Sequence, residues 1–137
     1  MSAPRYKILV VEDNPSDVEL LRLAFKQAGL DCELTVIGDG GDALDFVRRH
    51  SPADQPPDLA ILDLNLPRRD GVEVLGGLRA NPALSEVPVA VLSSASLPRE
   101  RARVEALRIR RYIQKPSELD EFLKIGGQVK ELLRQEK

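Results

Sequence analysis

The chain has 137 residues, 42% apolar and 31% charged, which is enough for one sizeable core and too little for two, so a single domain over 1–137 is expected. Its 20 basic and 22 acidic residues leave a formal net charge of −2, which argues for neither a nucleic-acid partner nor a membrane surface. A lone cysteine, Cys32, excludes an internal disulfide, and no apolar stretch is long enough for a signal peptide or a membrane span, so the cytoplasm is the expected location.

Short apolar runs alternate with segments of helical period, the pattern of a doubly wound α/β fold with five strands and five helices. The first run, Ile8-Leu9-Val10-Val11, reads as a strand that ends in Glu12-Asp13. Asn14 then reads as an N-cap with Pro15 at the first helical position, and Val18, Leu21, Phe25 and Ala28 form an apolar stripe that Gly29 stops. A second strand over Glu33 to Ile37 leads to a turn at Asp39-Gly40-Gly41 and a short helix carrying Ala43, Leu44 and Val47. The proline-rich stretch from His50 to Asp58 reads as a surface loop. Leu59-Ala60-Ile61-Leu62 has the length and content of a buried parallel strand, and it ends in Asp63. Asp70 with Glu73 resembles a capping box that opens a helix through Arg79, which Asn81-Pro82 ends. Val89-Ala90-Val91-Leu92 runs into Ser93 and on to a helix from Pro98 to Arg108, and Tyr112-Ile113 runs into Lys115-Pro116. Ser117 is the expected cap of a last helix whose buried face is Leu119, Phe122, Val129 and Leu133. Gly126 and Gly127 interrupt it at about 1 kcal/mol each relative to alanine, which only close packing or a bend would account for.

In an open parallel sheet the carboxyl ends of the strands gather along one edge, where ligands bind. Glu12, Asp13, Asp63, Ser93 and Lys115 therefore meet in one pocket of three carboxylates, a hydroxyl and an ammonium. Two unit charges about 4 Å apart interact by roughly 4 kcal/mol at an effective dielectric near 20, so the acids need a cation. A hard divalent ion meets that need, and Mg²⁺ prefers sites with few protein ligands and a bound phosphate. Asp63 would keep one oxygen free as a nucleophile toward a phosphoryl donor, with the metal, Lys115 and Ser93 holding the charge of the transferred group. Cys32 reads as an inert small hydrophobe, and His50 has no second ligand nearby. The arginines at 99, 101, 103, 108, 110 and 111 read as a solvated helix face, with a partner surface as the sharper alternative.

These five loci, in order and at this spacing, resemble a bacterial response-regulator receiver domain, the phosphoacceptor half of two-component signalling, over nearly the whole chain. The resemblance implies a flavodoxin-like (βα)5 fold with sheet order 2-1-3-4-5, as in the chemotaxis receiver. It implies Glu12 and Asp13 as the metal-binding acid pair, Asp63 as the phosphorylated aspartate and Asn65 as a backbone-carbonyl ligand of the metal. Ser93 takes the place of the switch hydroxyl, Tyr112 that of the aromatic rotamer switch, and Lys115 that of the phosphate-binding lysine before a proline, commonly cis. The implied cofactor is Mg²⁺, with Mn²⁺ as a substitute. Glu12-Asp13-Asn14-Pro15-Ser16-Asp17, Asp63-Leu64-Asn65-Leu66-Pro67 and Leu92-Ser93-Ser94 further resemble the stand-alone receivers that partner phytochrome-type sensor histidine kinases.

The implied protein is thus a receiver without an effector domain, not an enzyme, that takes a phosphoryl group from a histidine kinase. It is expected to signal, and to form a homodimer, through the face of the fourth helix, fifth strand and last helix. Two departures fall on that face: Leu107-Arg108-Ile109-Arg110-Arg111 lacks the usual Gly-Ala, and Ser117 replaces a frequent apolar residue. A phosphatase of the haloacid dehalogenase type would want an acid where Asn65 stands, and Glu12 and Asp13 would repel the phosphate of a flavodoxin-like FMN carrier.

Overall fold

In the computed structural model, which describes residues 5–66, 70–94 and 98–135, the strands are β1 (Tyr6–Val11), β2 (Cys32–Ile37), β3 (Leu59–Asp63), β4 (Val89–Ser93) and β5 (Arg111–Gln114). They form one parallel sheet in the order β2-β1-β3-β4-β5. The helices are α1 (Pro15–Gln27), α2 (Gly40–Arg49), α3 (Gly71–Ala80), α4 (Pro98–Glu105) and a last arm in two segments, α5 (Leu119–Leu123) and α6 (Ile125–Gln135).

Successive strand side chains point to opposite faces, and this alternation sorts the core into two layers. Ile8, Val10, Leu59, Ile61, Leu92 and Ile113 pack with Leu21 and Phe25 of α1 and with Phe122, Ile125, Val129 and Leu133 of the last arm. Leu9, Val11, Ala60, Leu62, Val89 and Val91 pack on the other face with Ala43 and Val47 of α2, Leu75 and Leu78 of α3, and Val104 of α4. Every residue of β3 and β4 is buried, which is why both read as unbroken apolar runs.

The helix starts follow the sequence. Asn14 Oδ1 accepts the Ser16 N–H at 2.9 Å with Pro15 at the first helical position, and Asp70 Oδ1 accepts the Glu73 N–H at 2.9 Å. Gly29 follows α1 at φ 70. Ala28, expected in the buried stripe, is instead the cap residue of α1, and Ala24 is the buried alanine. The expected turn at Asp39-Gly40-Gly41 is already helix: Asp39 caps α2 by accepting the Asp42 N–H at 3.0 Å, and both glycines lie within its first turn.

Three expectations fail toward the C-terminus. The fourth helix stops at Glu105, not Arg108, because Arg108 enters the left-handed region at φ 63, a place that helix ends usually give to glycine. Arg79 of α3 secures that end: its Nε donates to Leu107 O at 2.8 Å and its Nη2 to Arg108 O at 3.2 Å, while Nη1 donates to Ser85 O at 3.0 Å and Val87 O at 2.7 Å. Ser117 is not the cap of the last arm; Glu118 holds that position without a side-chain bond. The arm then breaks at Lys124, so one helical period does not run from Leu119 to Leu133, and Leu119 is 53% exposed. Gly126 is explained by close packing: a Cβ there would stand 2.1 Å from Ala24 O in α1. A Cβ on Gly127 would meet nothing within 4 Å. No peptide bond among the described residues is cis, so Lys115-Pro116 is trans where the family resemblance implies the commonly cis form.

Candidate functional site

Glu12, Asp63 and Lys115 stand at the carboxyl ends of β1, β3 and β5 and continue the alternation of Val10, Ile61 and Ile113, which places all three on the α1 side of the sheet. The backbone ladder runs past the strand ends to hold them there. Glu12 N–H donates to Ile37 O at 3.0 Å, and Lys115 N–H donates to Ser93 O at 2.7 Å. From the other face, α3 presses on the backbone of Asp63: a Cβ on Gly71 would lie 2.4 Å from Asp63 O, so only glycine fits.

The charges converge on one ammonium. Lys115 Nζ lies 2.6 Å from Glu12 Oε1, 2.9 Å from Asp17 Oδ2 and 3.1 Å from Asp63 Oδ2. The contacts with Asp17 and Asp63 are hydrogen bonds. The close Glu12 contact is an ion pair without hydrogen-bond geometry, and it leaves Glu12 Oε1 buried with no hydrogen-bond partner. Glu12 Oε2 accepts the Asn14 N–H at 3.1 Å, and Asp63 Oδ1 accepts the Asn65 N–H at 2.9 Å. Both oxygens of Asp63 therefore carry donors, as a buried carboxylate oxygen left unpaired would cost about 1–3 kcal/mol or more.

Among the described residues the buried polar or charged side chains are Glu12, Asp63 and Ser93, all of them at strand ends. Burial pushes the Glu12 carboxyl up to about 7, with the Lys115 ammonium acting against the rise and Asp63 adding to it. Burial also works to lower the value of Lys115, but its contacts with Asp17, Glu12 and Asp63 outweigh that and hold the ammonium above its ordinary 10.5. Glu12, Asp13 and Asp63 offer ligand oxygens that all lie within 4.8 Å of one another. Hard oxygen donors this close together, with the buried Glu12 Oε1 held by no hydrogen bond, fit a divalent cation.

Ser93 and Tyr112 belong to the opposite side of the sheet. Ser93 is fully buried and continues the alternation of Val89 and Val91, and Tyr112 is half-buried against that same core. The Arg101 guanidinium of α4 stands 4.9 Å from the Tyr112 ring centroid and pairs with Glu105 at 3.0 Å. Asn65 is exposed beside Asp63, and Pro67 of the Asp63-to-Pro67 motif lies outside the described residues. Cys32 is partly buried, and burial raises its thiol, in keeping with an inert role. Sequence reasoning gave no role to Asp17 or to the Arg101 contact with Tyr112. An acid in a first helical turn reads as complementing the helix dipole, and nothing local names a lysine far along the chain as its partner.

A doubly wound sheet in this order, with an acid group and a lysine at its carboxyl edge, defines the receiver class. The chain belongs to the response regulator receiver domain family, whose sequence model matches residues 8–125. Response regulator Rcp1 of Synechocystis sp. is 33% identical to it over 126 residues, covering 90% of this chain and 86% of that protein. The phosphorylated cyanobacterial phytochrome response regulator RcpA is similar in structure, with a TM-score of 0.85 and 32% identity over 95% of this chain and 94% of its own. The Mn²⁺-bound form of Rcp1 gives a TM-score of 0.81 at 31% identity over 91% of each chain. Membership implies a histidine kinase as partner and a divalent metal at the acidic group. Among the described residues no helix is long and apolar enough to cross a membrane.

Proposed function

We propose that Asp63 accepts a phosphoryl group from a sensor histidine kinase in a Mg²⁺-dependent reaction in the cytoplasm. The observation that carries this reading is the buried Asp63 carboxylate, hydrogen-bonded to Lys115 and grouped with Glu12 and Asp13. Glu12, Asp13, Asp63 and the Asn65 carbonyl would hold a Mg²⁺, which would supply charge neutralisation at the transferred group. An Asp63 oxygen forms the new P–O bond as the P–N bond to the kinase histidine breaks, and the imidazole leaves with the bonding pair. Lys115 turns one proton from Asp63 Oδ2 to a phosphoryl oxygen. On the far side of the sheet the Ser93 hydroxyl moves toward the new acceptor oxygens, Tyr112 turns inward, and the face of α4, β5 and the last arm changes shape. That face is also the proposed homodimer surface. The likeness to RcpA supports a phytochrome-type kinase as the donor.

Incubation with a phosphorylated histidine kinase or a small phosphodonor and Mg²⁺ should add one hydroxylamine-labile phosphate per chain. Chelation and Asp63→Asn should each abolish it. Full labelling of Asp63→Asn would refute the assignment.

A further inference from the structure

We propose that Asp17 is the positioning residue for Lys115, the group that keeps the ammonium aimed at the phosphoryl site once its other partners are engaged. The inference rests on the reading of Asp63 as phosphoacceptor.

Three acids touch Lys115 Nζ, and they are not equivalent. Glu12 and Asp63 belong to the group able to hold a metal, and Asp17 does not. A dication at that group draws on the lone pairs of Glu12 and Asp63. A phosphoryl group on Asp63 further turns its carboxylate into an uncharged acyl carbonyl. Both events weaken the hold of those two residues on the ammonium. Asp17, 2.9 Å from the ammonium, lies outside that group and is drawn on by neither event.

Asp17 is also fixed independently of the metal group. It is the third residue of α1, directly after the Asn14 cap and Pro15, on a helix locked by Val18, Leu21, Ala24 and Phe25. Lys115 reaches the pocket on a long flexible stem from beyond the end of β5. One ammonium proton on Asp17 leaves two for the Asp63 side and fixes their direction. The pair is sheltered, with side-chain exposures of 12% and 18%, so it is not a solvated surface bridge of negligible strength. An acid that served only the helix dipole would not need to point at this lysine.

The test compares the parent with Asp17→Ala and Asp17→Asn by calorimetry, titrating Mg²⁺ alone and then beryllofluoride in saturating Mg²⁺. Asp17→Ala should bind beryllofluoride about tenfold more weakly, the loss of one charge-assisted hydrogen bond, while its Mg²⁺ affinity changes by less than about threefold. Asp17→Asn keeps an acceptor oxygen at the same place and should recover most of the affinity. Unchanged or tighter beryllofluoride binding in Asp17→Ala overturns the proposal, and so does an equal loss of Mg²⁺ affinity, which would put Asp17 in the metal site. If the parent itself fails to bind beryllofluoride, the phosphoacceptor reading fails instead. The positioning claim is then decided in chelator by the Lys115 ammonium resonance in ¹⁵N-labelled protein. Slow proton exchange in the parent and Asp17→Asn with fast exchange in Asp17→Ala supports it; equal rates in all three refute it.

Discussion

The two helices beside the strand ends, α1 on one face of the sheet and α4 on the other, are held with very different firmness. On one, Glu12, Asp63 and Lys115 sit beside α1, which buries four residues and rests against both segments of the last arm. On the other, Ser93 and Tyr112 sit toward α4, an eight-residue helix with five charged side chains and Val104 as its buried residue. Under the proposed function Glu12, Asp63 and Lys115 meet a phosphoryl donor and need fixed positions, which a heavily packed helix supplies. A surface that reports a change must shift at small cost, and an element with few buried contacts does so. The contrast is written into composition: α1 carries an apolar stripe, whereas α4 is tied down by Arg79 at its end and by Arg101 over Tyr112.

The largest effect expected is on the firm face. Gly126→Ala should destabilise the protein by about 3 kcal/mol in urea unfolding, because the added carbon meets backbone, which cannot give way as a side chain would. Gly127→Ala, next along the same helix and facing open space, should be neutral or stabilising by up to about 1 kcal/mol. If the two behave alike, α1 and α6 are not in backbone contact.

Arg79→Met should cost about 2–3 kcal/mol by leaving carbonyls at Ser85, Val87, Leu107 and Arg108 without their donor. Hydrogen exchange should accelerate around residues 105–110 well before it does in α1. Uniform acceleration across both regions would deny the difference between the faces.

Glu12 gives a pH test. Its folded value of about 7 lies above its ordinary 4.5, so between those values the folded chain holds more protons than the unfolded one. Stability in chelator should therefore fall as pH rises from about 4.5 to about 7 and then level off. Mg²⁺ affinity should rise over the same interval as the proton leaves. Glu12→Gln should flatten the stability slope, and a slope that survives in that variant assigns it to another group.

The smallest effect is on the loose face. Arg101→Gln should change stability by less than about 1 kcal/mol yet alter the Tyr112 ring resonances, since an exposed cation–π contact biases a rotamer more than it stabilises a fold. Unaltered ring resonances would mean that Arg101 does not bear on the Tyr112 rotamer.

The strands could be anticipated because buried parallel strands are apolar on both faces, and the strand-end residues stood out against those runs, whereas their order came only from the family resemblance. Asn14, Pro15 and Asp70 announced helix starts through local backbone chemistry that needs no distant partner. What the sequence concealed depends on distance. Asp17 acquires its meaning from Lys115, and Gly126 from the backbone of Ala24. The early end of α4 rests on a left-handed arginine where a glycine would have signalled the stop. The break at Lys124 has no proline or cap to mark it, so a single helical period was read across two segments.

The hydrogen bond from Lys115 to Asp17 spans 98 residues, and the one to Asp63 spans 52. Chains are made from the N-terminus at about 5–20 residues per second, so Glu12, Asp17 and Asp63 emerge seconds before their lysine. An unfinished chain carries the negative charge of the pocket without its counter-ion, and β5 can only join an edge of a sheet whose other strands precede it. The pocket is thus incomplete until β5 and Lys115 have been made, and a chain cut short before them carries its acids without their counter-ion.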